Sequence, residues 1–330
     1  MKLLDCTLRD GANVVGNGFS AELTKSMLEG LLSGGIRDIE FGNCRGLSAE
    51  TKLGSVSPVT DREYLELAQP FVSRGNLGMF LMAGCADREN TRLAKESGLS
   101  FLRVGNNAGD GRDSLRAIEL VKEAGLYCRY SLMKAYVLTP EALAEEAALL
   151  EKAGADCITV MDSAGTMLPE DAAAYVKALR ARVSVPVGFH GHSNMGLSQA
   201  NALAAVEAGA EEIDCGLLGM ARSAGNCSTE LAIASLQRKG YLEDVDLYGL
   251  LSYLDNELIG LMEPYGYRPA VKPVDLVLGI AGCHSSFLPL FREVAEQKGV
   301  NLYRLITVVS KLDRKKPDRA LMERVAATLV

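Results

Sequence analysis

The sequence is poor in histidine, with three in 330 residues, and it has no CxxC pair, no GxGxxG turn and no low-complexity tract. Each absence excludes something. The eight cysteines are dispersed and several fall inside apolar runs. They read as small buried residues of a reducing cytoplasm, not as a disulfide framework or a zinc knuckle. Basic charge is not in excess: the net charge is -7 and the pI about 5.2, so no cationic face is expected to displace counterions from nucleic acid. The short cluster Lys311, Arg314, Lys315 and Lys316 reads as solvated surface. No apolar run reaches the roughly 18 residues that a membrane helix needs. The segment MKLLDCTLRDG has no apolar core of the secretory type, so neither a membrane partner nor a leader is expected.

What is present is a repeating alternation. Hydrophobic residues make up 48% and charged residues 23%, enough to bury a sizeable core. Eight apolar runs recur: LLDCTL (3–8), DIEFGN (38–43), LGMFLMAG (77–84), FLRVGNN (101–107), YCRYSLMKA (127–135), CITVMDSAG (157–165), VGFHGHS (187–193) and EIDCGLLG (212–219). Each suits a parallel strand covered on both faces. Between them lie helical patterns with start signals at Ser20, Thr139-Pro140 and Pro169 and stop glycines at 34, 35 and 154. The count and length match a (β/α)8 TIM barrel over residues 1–240. An open doubly wound sheet would want a glycine fingerprint after its first strand, and GANVVGNG (11–18) lacks that spacing. From 241 to 330 the strand alternation stops and a helical C-terminal region is predicted, including SSFLPLFREVAEQKG (285–299) and a last segment from 317.

A barrel of this kind builds its site at the C-terminal ends of the strands. Strand 1 ends in Thr7-Leu8-Arg9-Asp10-Gly11, a cation beside a carboxylate. Strand 7 ends in His190-Gly191-His192, and residues i and i+2 of a strand face the same way. Strand 8 runs into GMARSAGN, which brings Asn226 to the same rim. Two imidazoles, a carboxylate and an amide oxygen suit an open site for Mn²⁺, Mg²⁺, Co²⁺ or Zn²⁺. The histidine pair alone is equally compatible with a structural role. Glu40 and Asp162 either stand behind the ligands or satisfy barrel backbone groups, the latter being the expectation for Glu40. Lys134, at the end of strand 5, is placed for Schiff-base chemistry by position only, and otherwise reads as a rim lysine.

DCTLRDG (5–11), GFHGHSNMGLSQANALAAVEAGAEEID (188–214) and GMARSAGN (219–226) together resemble the DRE-TIM metallolyase superfamily (HMG-CoA lyase-like), and within it the 4-hydroxy-2-oxovalerate aldolase family. AGCHSSFLPLFREVAEQKG (281–299) is similar to that family's helical C-terminal region, so the resemblance covers nearly the whole chain. It implies a metal-dependent carbon–carbon lyase that forms or uses a pyruvate enolate from a 4-hydroxy-2-oxo acid. Asp10, His190 and His192 would bind the ion, Mn²⁺ or Mg²⁺ before Co²⁺ or Zn²⁺, with Asn226 as a further ligand. Arg9 would stabilise the enolate, and Ser163 in MDSAG and His190 would face the substrate; for Ser163 a turn-forming role is an equal alternative.

The chain departs from that family at two positions. The aldolases carry an acid/base histidine two residues after the RDG glycine, and here the residue is Asn13, which cannot accept and return a proton. Their C-terminal GxYSSF tyrosine is His284 here. His284 is expected either to take over the acid/base role or to cap the helix that begins at Ser285-Ser286. Two other functions compete: an acyl-CoA-condensing synthase of the isopropylmalate or citramalate type, and a catalytically silent metal-binding barrel serving as a partner protein. The chain is expected to be a cytoplasmic homo-oligomer acting on a small 2-oxo acid. The family resemblance also implies an acylating aldehyde dehydrogenase as partner.

Overall fold

Helices begin and end where the sequence marks them. Ser20 Oγ accepts from the Leu23 N–H and starts the helix Ala21–Ser33, which Gly34 closes. Thr139 caps Pro140–Ala153, which ends on the left-handed Gly154, and Pro169 opens Pro169–Arg182. The computed structural model describes residues 1–329. In it these helices alternate with eight strands: β1 (Lys2–Asp5), β2 (Asp38–Glu40), β3 (Asn76–Met82), β4 (Phe101–Asn107), β5 (Tyr127–Met133), β6 (Cys157–Asp162), β7 (Val187–Gly191) and β8 (Glu212–Cys215). All neighbours run parallel and in sequence order, and β8 pairs with β1, so the sheet closes into the TIM barrel that the alternation predicts.

β1 and β8 stop short of the ends of their apolar runs. β1 stops at Asp5 because the Cys6 carbonyl accepts the N–H groups of Arg9, Asp10 and Gly11, at 3.1, 2.8 and 3.3 Å. The TLRD stretch is therefore a tight turn, not strand. β8 stops at Cys215 because the Gly216 N–H turns to the Cys227 carbonyl at 2.9 Å and Leu218 adopts a left-handed φ of 58°. Both breaks fall at the C-terminal end of the barrel.

Charge, unusually, fills the middle of the barrel. Arg103 on β4 is fully buried and donates to both oxygens of Glu40 on β2, at 2.6 and 2.8 Å, and to Asp214 on β8. Nearer the strand starts, Arg129 on β5 pairs with Asp38 at 2.6 Å and with Glu212. Aromatic rings lie against these cations: Arg129 is 4.5 Å from the Phe101 centroid and Arg9 is 4.8 Å from that of Phe80. Two glycines make room for the rings. A Cβ on Gly78 would meet Phe101 at 2.5 Å, and one on Gly105 would collide with the Phe80 ring.

The chain divides into Met1–Val245 and Asp246–Val330. The break falls five residues beyond the predicted boundary at 240/241, because Gln237, at the end of the helix Thr229–Gln237, donates to the carbonyls of Leu242 and Val245 at 2.9 Å each. Those bonds hold residues up to 245 on the first unit. The second unit is helical, as predicted, and includes Pro273–Ala281, Leu288–Lys298, Leu302–Leu312 and Arg319–Ala326 around buried Phe291, Val294, Ile306, Val309 and Met322.

Two stability predictions follow from the buried charges. Arg103→Met leaves Glu40 and Asp214 facing each other without their cation, so urea unfolding is expected to show a loss of about 3–5 kcal/mol; a loss below about 1 kcal/mol would contradict the clamp. The second concerns Glu230, whose carboxylate accepts the Leu218 N–H at 3.0 Å and is pushed by burial from 4.5 to about 7. The folded state then holds a proton that the unfolded state releases, so this group's contribution is full below about pH 4.5 and is lost as pH rises through 7. Glu230→Gln is expected to raise the melting temperature at pH 8, by at most about 3 kcal/mol of stability, and to leave it nearly unchanged at pH 5. Equal effects at both pH values would refute it.

Candidate metal centre and active site

Four buried side chains from three chain segments meet at the C-terminal mouth of the barrel. Asp10 comes from the turn after β1, His190 from the last turn-facing position of β7, His192 from just beyond it, and Asn226 from the loop after β8. That loop is fastened to the end of β7: His192 pairs with Asn226, the Ser193 N–H bonds the Gly225 carbonyl at 2.8 Å and the Cys227 N–H bonds the Gly191 carbonyl at 3.1 Å. Asp10 Oδ2 then lies 3.7 Å from His190 Nε2 and 3.8 Å from His192 Nε2, and it accepts from Asn226 Nδ2 at 2.8 Å. The imidazoles are edge to face, 5.2 Å apart.

The protonation states suit a cation. Burial works against ionised Asp10, but Arg9 and the two imidazoles hold its carboxyl below the usual range. Burial and then the neighbouring His190 bring His192 down to about 4, so at neutral pH it is an uncharged ligand. His190 Nε2 and Asn226 Oδ1 are buried without any hydrogen-bond partner among the described residues. Groups of this kind are costly unless something accepts their lone pairs, and a divalent ion beside Asp10 would do so. The residues therefore fit the metal.

His190 belongs to two possible clusters, Asp10–His190–His192 and Cys6–His190–Asp214. They use opposite ring nitrogens. Nδ1 is engaged by Asp214 at 3.1 Å, and Asp214 and Cys6 are both already in contact with the Arg103 guanidinium. A second cation there would sit against a buried positive charge, whereas Nε2 faces Asp10 and is unsatisfied. The first cluster is the one whose free nitrogen suits an ion, and Asp214 holds the His190 imidazole from behind.

Arg9 stands next to it. Its Nε donates to Glu40 at 2.5 Å and its NH1 to Asp10 at 3.0 Å, while buried NH2 has no partner among the described residues. Glu40, expected to satisfy backbone, instead bridges Arg9 and Arg103. Asp162 does the reverse: its carboxylate takes the N–H groups of Thr166 and Met167, at 3.0 and 2.9 Å, and shapes its own loop.

The remaining candidates are placed as follows. Asn13 is half-buried; its Nδ2 donates to the Asp10 carbonyl at 2.8 Å and to Oδ1 at 3.3 Å, and its Oδ1 accepts from Arg222 at 3.0 Å. Ser163 Oγ accepts the backbone N–H of Lys134 at 2.9 Å, a bond between the segments that follow β6 and β5. Lys134 itself is an exposed rim residue. His284 lies in the second unit, is exposed, and accepts the Ser286 N–H through Nδ1 at 3.2 Å, which is the capping role. Asp214, Arg103 and Arg222 escaped the motif reading. The first two carry a signal nonetheless, since a charge inside an otherwise apolar parallel strand must have a buried partner.

Comparison with known proteins agrees with this geometry. A profile described as HMGL-like matches residues 1–256. The chain is 35% identical over 302 residues to a 4-hydroxy-2-oxovalerate aldolase of Chloroflexus aggregans, covering 91% of this chain and 87% of that one. It is 36% identical over 287 residues to the enzyme of the same name from Moorella thermoacetica, covering 87% and 84%. Among solved structures, HMG-CoA lyase of Bacillus subtilis superposes with a TM-score of 0.65 at 18% identity, covering 82% of this chain and 95% of that one. The carboxyl transferase domain of Rhizobium etli pyruvate carboxylase superposes with a TM-score of 0.67 at 17% identity, covering 100% and 62%. These two likenesses speak for the fold. On the profile match and the aldolase identities together, the chain belongs to the HMGL-like family of metal-dependent enzymes.

Proposed function

We propose that the protein is a divalent-metal-dependent aldolase that cleaves a 4-hydroxy-2-oxo acid to pyruvate and an aldehyde. The observation that carries this is the juxtaposition around Asp10 of two imidazoles, whose Nε2 atoms lie 3.7 and 3.8 Å from its carboxylate, and of a guanidinium with one free NH2. Asp10, His190 and His192 would hold the ion, with Asn226 Oδ1 as a further oxygen ligand. A carboxylate and an amide oxygen beside two nitrogens favour Mn²⁺ or Mg²⁺ among the ions that such a set accepts. When bound, the ion acts as a Lewis acid toward the 2-oxo acid head of the substrate.

The chain's own groups do the rest. In the cleavage direction the 4-hydroxyl loses its proton, the C3–C4 bond breaks, C4 becomes the aldehyde carbonyl, and the electron pair passes to an enolate whose negative oxygen forms at C2. Arg9 NH2 is the preorganised donor for that oxygen; Glu40 and the Phe80 ring fix the guanidinium so that nothing reorganises as charge develops. Asn13 has no proton to exchange. On the sequence resemblance alone, His284 is our candidate to take the hydroxyl proton and return one to the enolate carbon. The curated relatives are aldolases along almost their whole length, which favours cleavage over acyl-CoA condensation. Homo-oligomeric assembly, a cytoplasmic location and an acylating aldehyde dehydrogenase as consumer of the aldehyde complete the proposal on the family resemblance.

Chelated protein is expected to release no pyruvate from 4-hydroxy-2-oxovalerate and to regain activity with Mn²⁺ or Mg²⁺. His192→Ala should abolish tight metal binding by calorimetry. Arg9→Lys should keep the metal and lower kcat by about 100-fold or more, and His284→Gln should lower kcat at unchanged metal affinity. Pyruvate release from chelated protein, or borohydride trapping of substrate on Lys134, would overturn the proposal.

A further inference from the structure

The site is graded from buried to exposed along one line of side chains. Arg9 is buried on Glu40, Asp10 lies beside it, Asn13 is half-buried and donates to Asp10, and Arg222 is exposed and donates to Asn13. A substrate whose 2-oxo acid head enters toward Arg9 and Asp10 must leave its other end toward Arg222. No carboxylate among the described residues forms an ion pair with Arg222.

The loop that carries Arg222 is held, not free to swing. The Gly225 N–H closes a turn on the Arg222 carbonyl at 3.1 Å and the Asn226 N–H bonds the Gly219 carbonyl at 3.0 Å. Asn194 Nδ2 donates to Ser223 Oγ at 2.7 Å, tying the turn to the loop after β7. Ser223 keeps a left-handed φ of 59° within that turn, a conformation that non-glycine residues adopt only when the surroundings over-determine it. Asn13 then fixes the guanidinium through a single bond to NH2, leaving the other donors of the fork toward solvent at the mouth.

We infer that Arg222, positioned by Asn13, is a specificity-determining residue that binds a second carboxylate at the distal end of the substrate, so that the preferred substrates are 4-hydroxy-2-oxo dicarboxylic acids. This deepens the aldolase proposal and rests on it. One guanidinium matches a single carboxylate in charge and in its two-pronged geometry. It also gives Asn13 a purpose in place of proton transfer: its amide bridges the metal-side carboxylate and the distal cation, donating to one and accepting from the other. Cleavage keeps the same atom balance as above. The 4-hydroxyl proton leaves, C3–C4 breaks, pyruvate enolate is protonated at C3, and the second product is a 2-oxo acid instead of a neutral aldehyde.

The test uses the metal-loaded full chain and two unreactive probes, 2-oxoglutarate and 2-oxovalerate, which share the 2-oxo acid head and differ in the distal carboxylate. By calorimetry the wild type is expected to bind 2-oxoglutarate about tenfold or more tighter. Arg222→Met should erase that advantage without changing 2-oxovalerate binding, and Arg222→Lys should keep part of it. In turnover, Arg222→Met should raise KM for 4-hydroxy-2-oxoglutarate while kcat, and both constants for 4-hydroxy-2-oxovalerate, stay within about threefold. Equal affinity for the two probes in the wild type, or a preference that survives Arg222→Met, overturns the inference. Failure to release pyruvate from either hydroxy acid overturns the aldolase proposal, and the probe affinities still decide the role of Arg222.

Discussion

The Arg103 guanidinium is the constraint on which the site depends, although it faces neither the mouth nor any ligand. It is buried at the centre of the barrel and bonded at once to Glu40 and Asp214. Glu40 fixes Arg9, and Asp214 fixes His190. One cation thus sets the orientation of the proposed enolate donor after β1 and of the proposed metal ligand on β7. Such a network costs desolvation, and hydrophobic replacements of similar volume would hold a barrel together as well or better. Its value lies in geometry: each first contact with substrate or ion is locked by a partner that is itself locked.

Much of this was legible in the sequence because it is local. The TLRDG turn, the HGH pair and the AGN loop each carry their chemistry within a few residues, and the caps at Ser20, Thr139 and Pro169 mark the helices between. What was not legible is what joins distant strands. Arg103 meets Asp214 across 111 residues and Glu40 across 63, and no spacing rule connects them. Glu40 and Asp162 look alike as acids near strand ends, yet one faces inward to a guanidinium and the other folds back onto its own loop. Only the strand register decides which. The shortened β8 has a similar origin, since bonds from Leu217 to Thr7 and from Gly216 to Cys227 pull its end out of the ladder, whereas β1 ends on its own local turn.

The departures at Asn13 and His284 shift the question from whether the barrel is catalytic to what it accepts. The buried end of the site keeps a ligand set and an enolate donor that suit the shared chemistry of the family. The exposed end has lost a titratable group and carries instead an amide clasped to an arginine. A metal-side set that suits the shared chemistry beside an altered outer end is what a changed second half of the substrate would require, if head and tail are read by different residues.

The most direct measurement is a crystal soaked with Mn²⁺ and oxalate, read by anomalous scattering. The account predicts one manganese peak within bonding distance of Asp10, His190 Nε2 and His192, with oxalate reaching from it to Arg9 NH2. A peak on the Nδ1 side of His190 between Cys6 and Asp214, or no ordered ion beside Asp10, would contradict it.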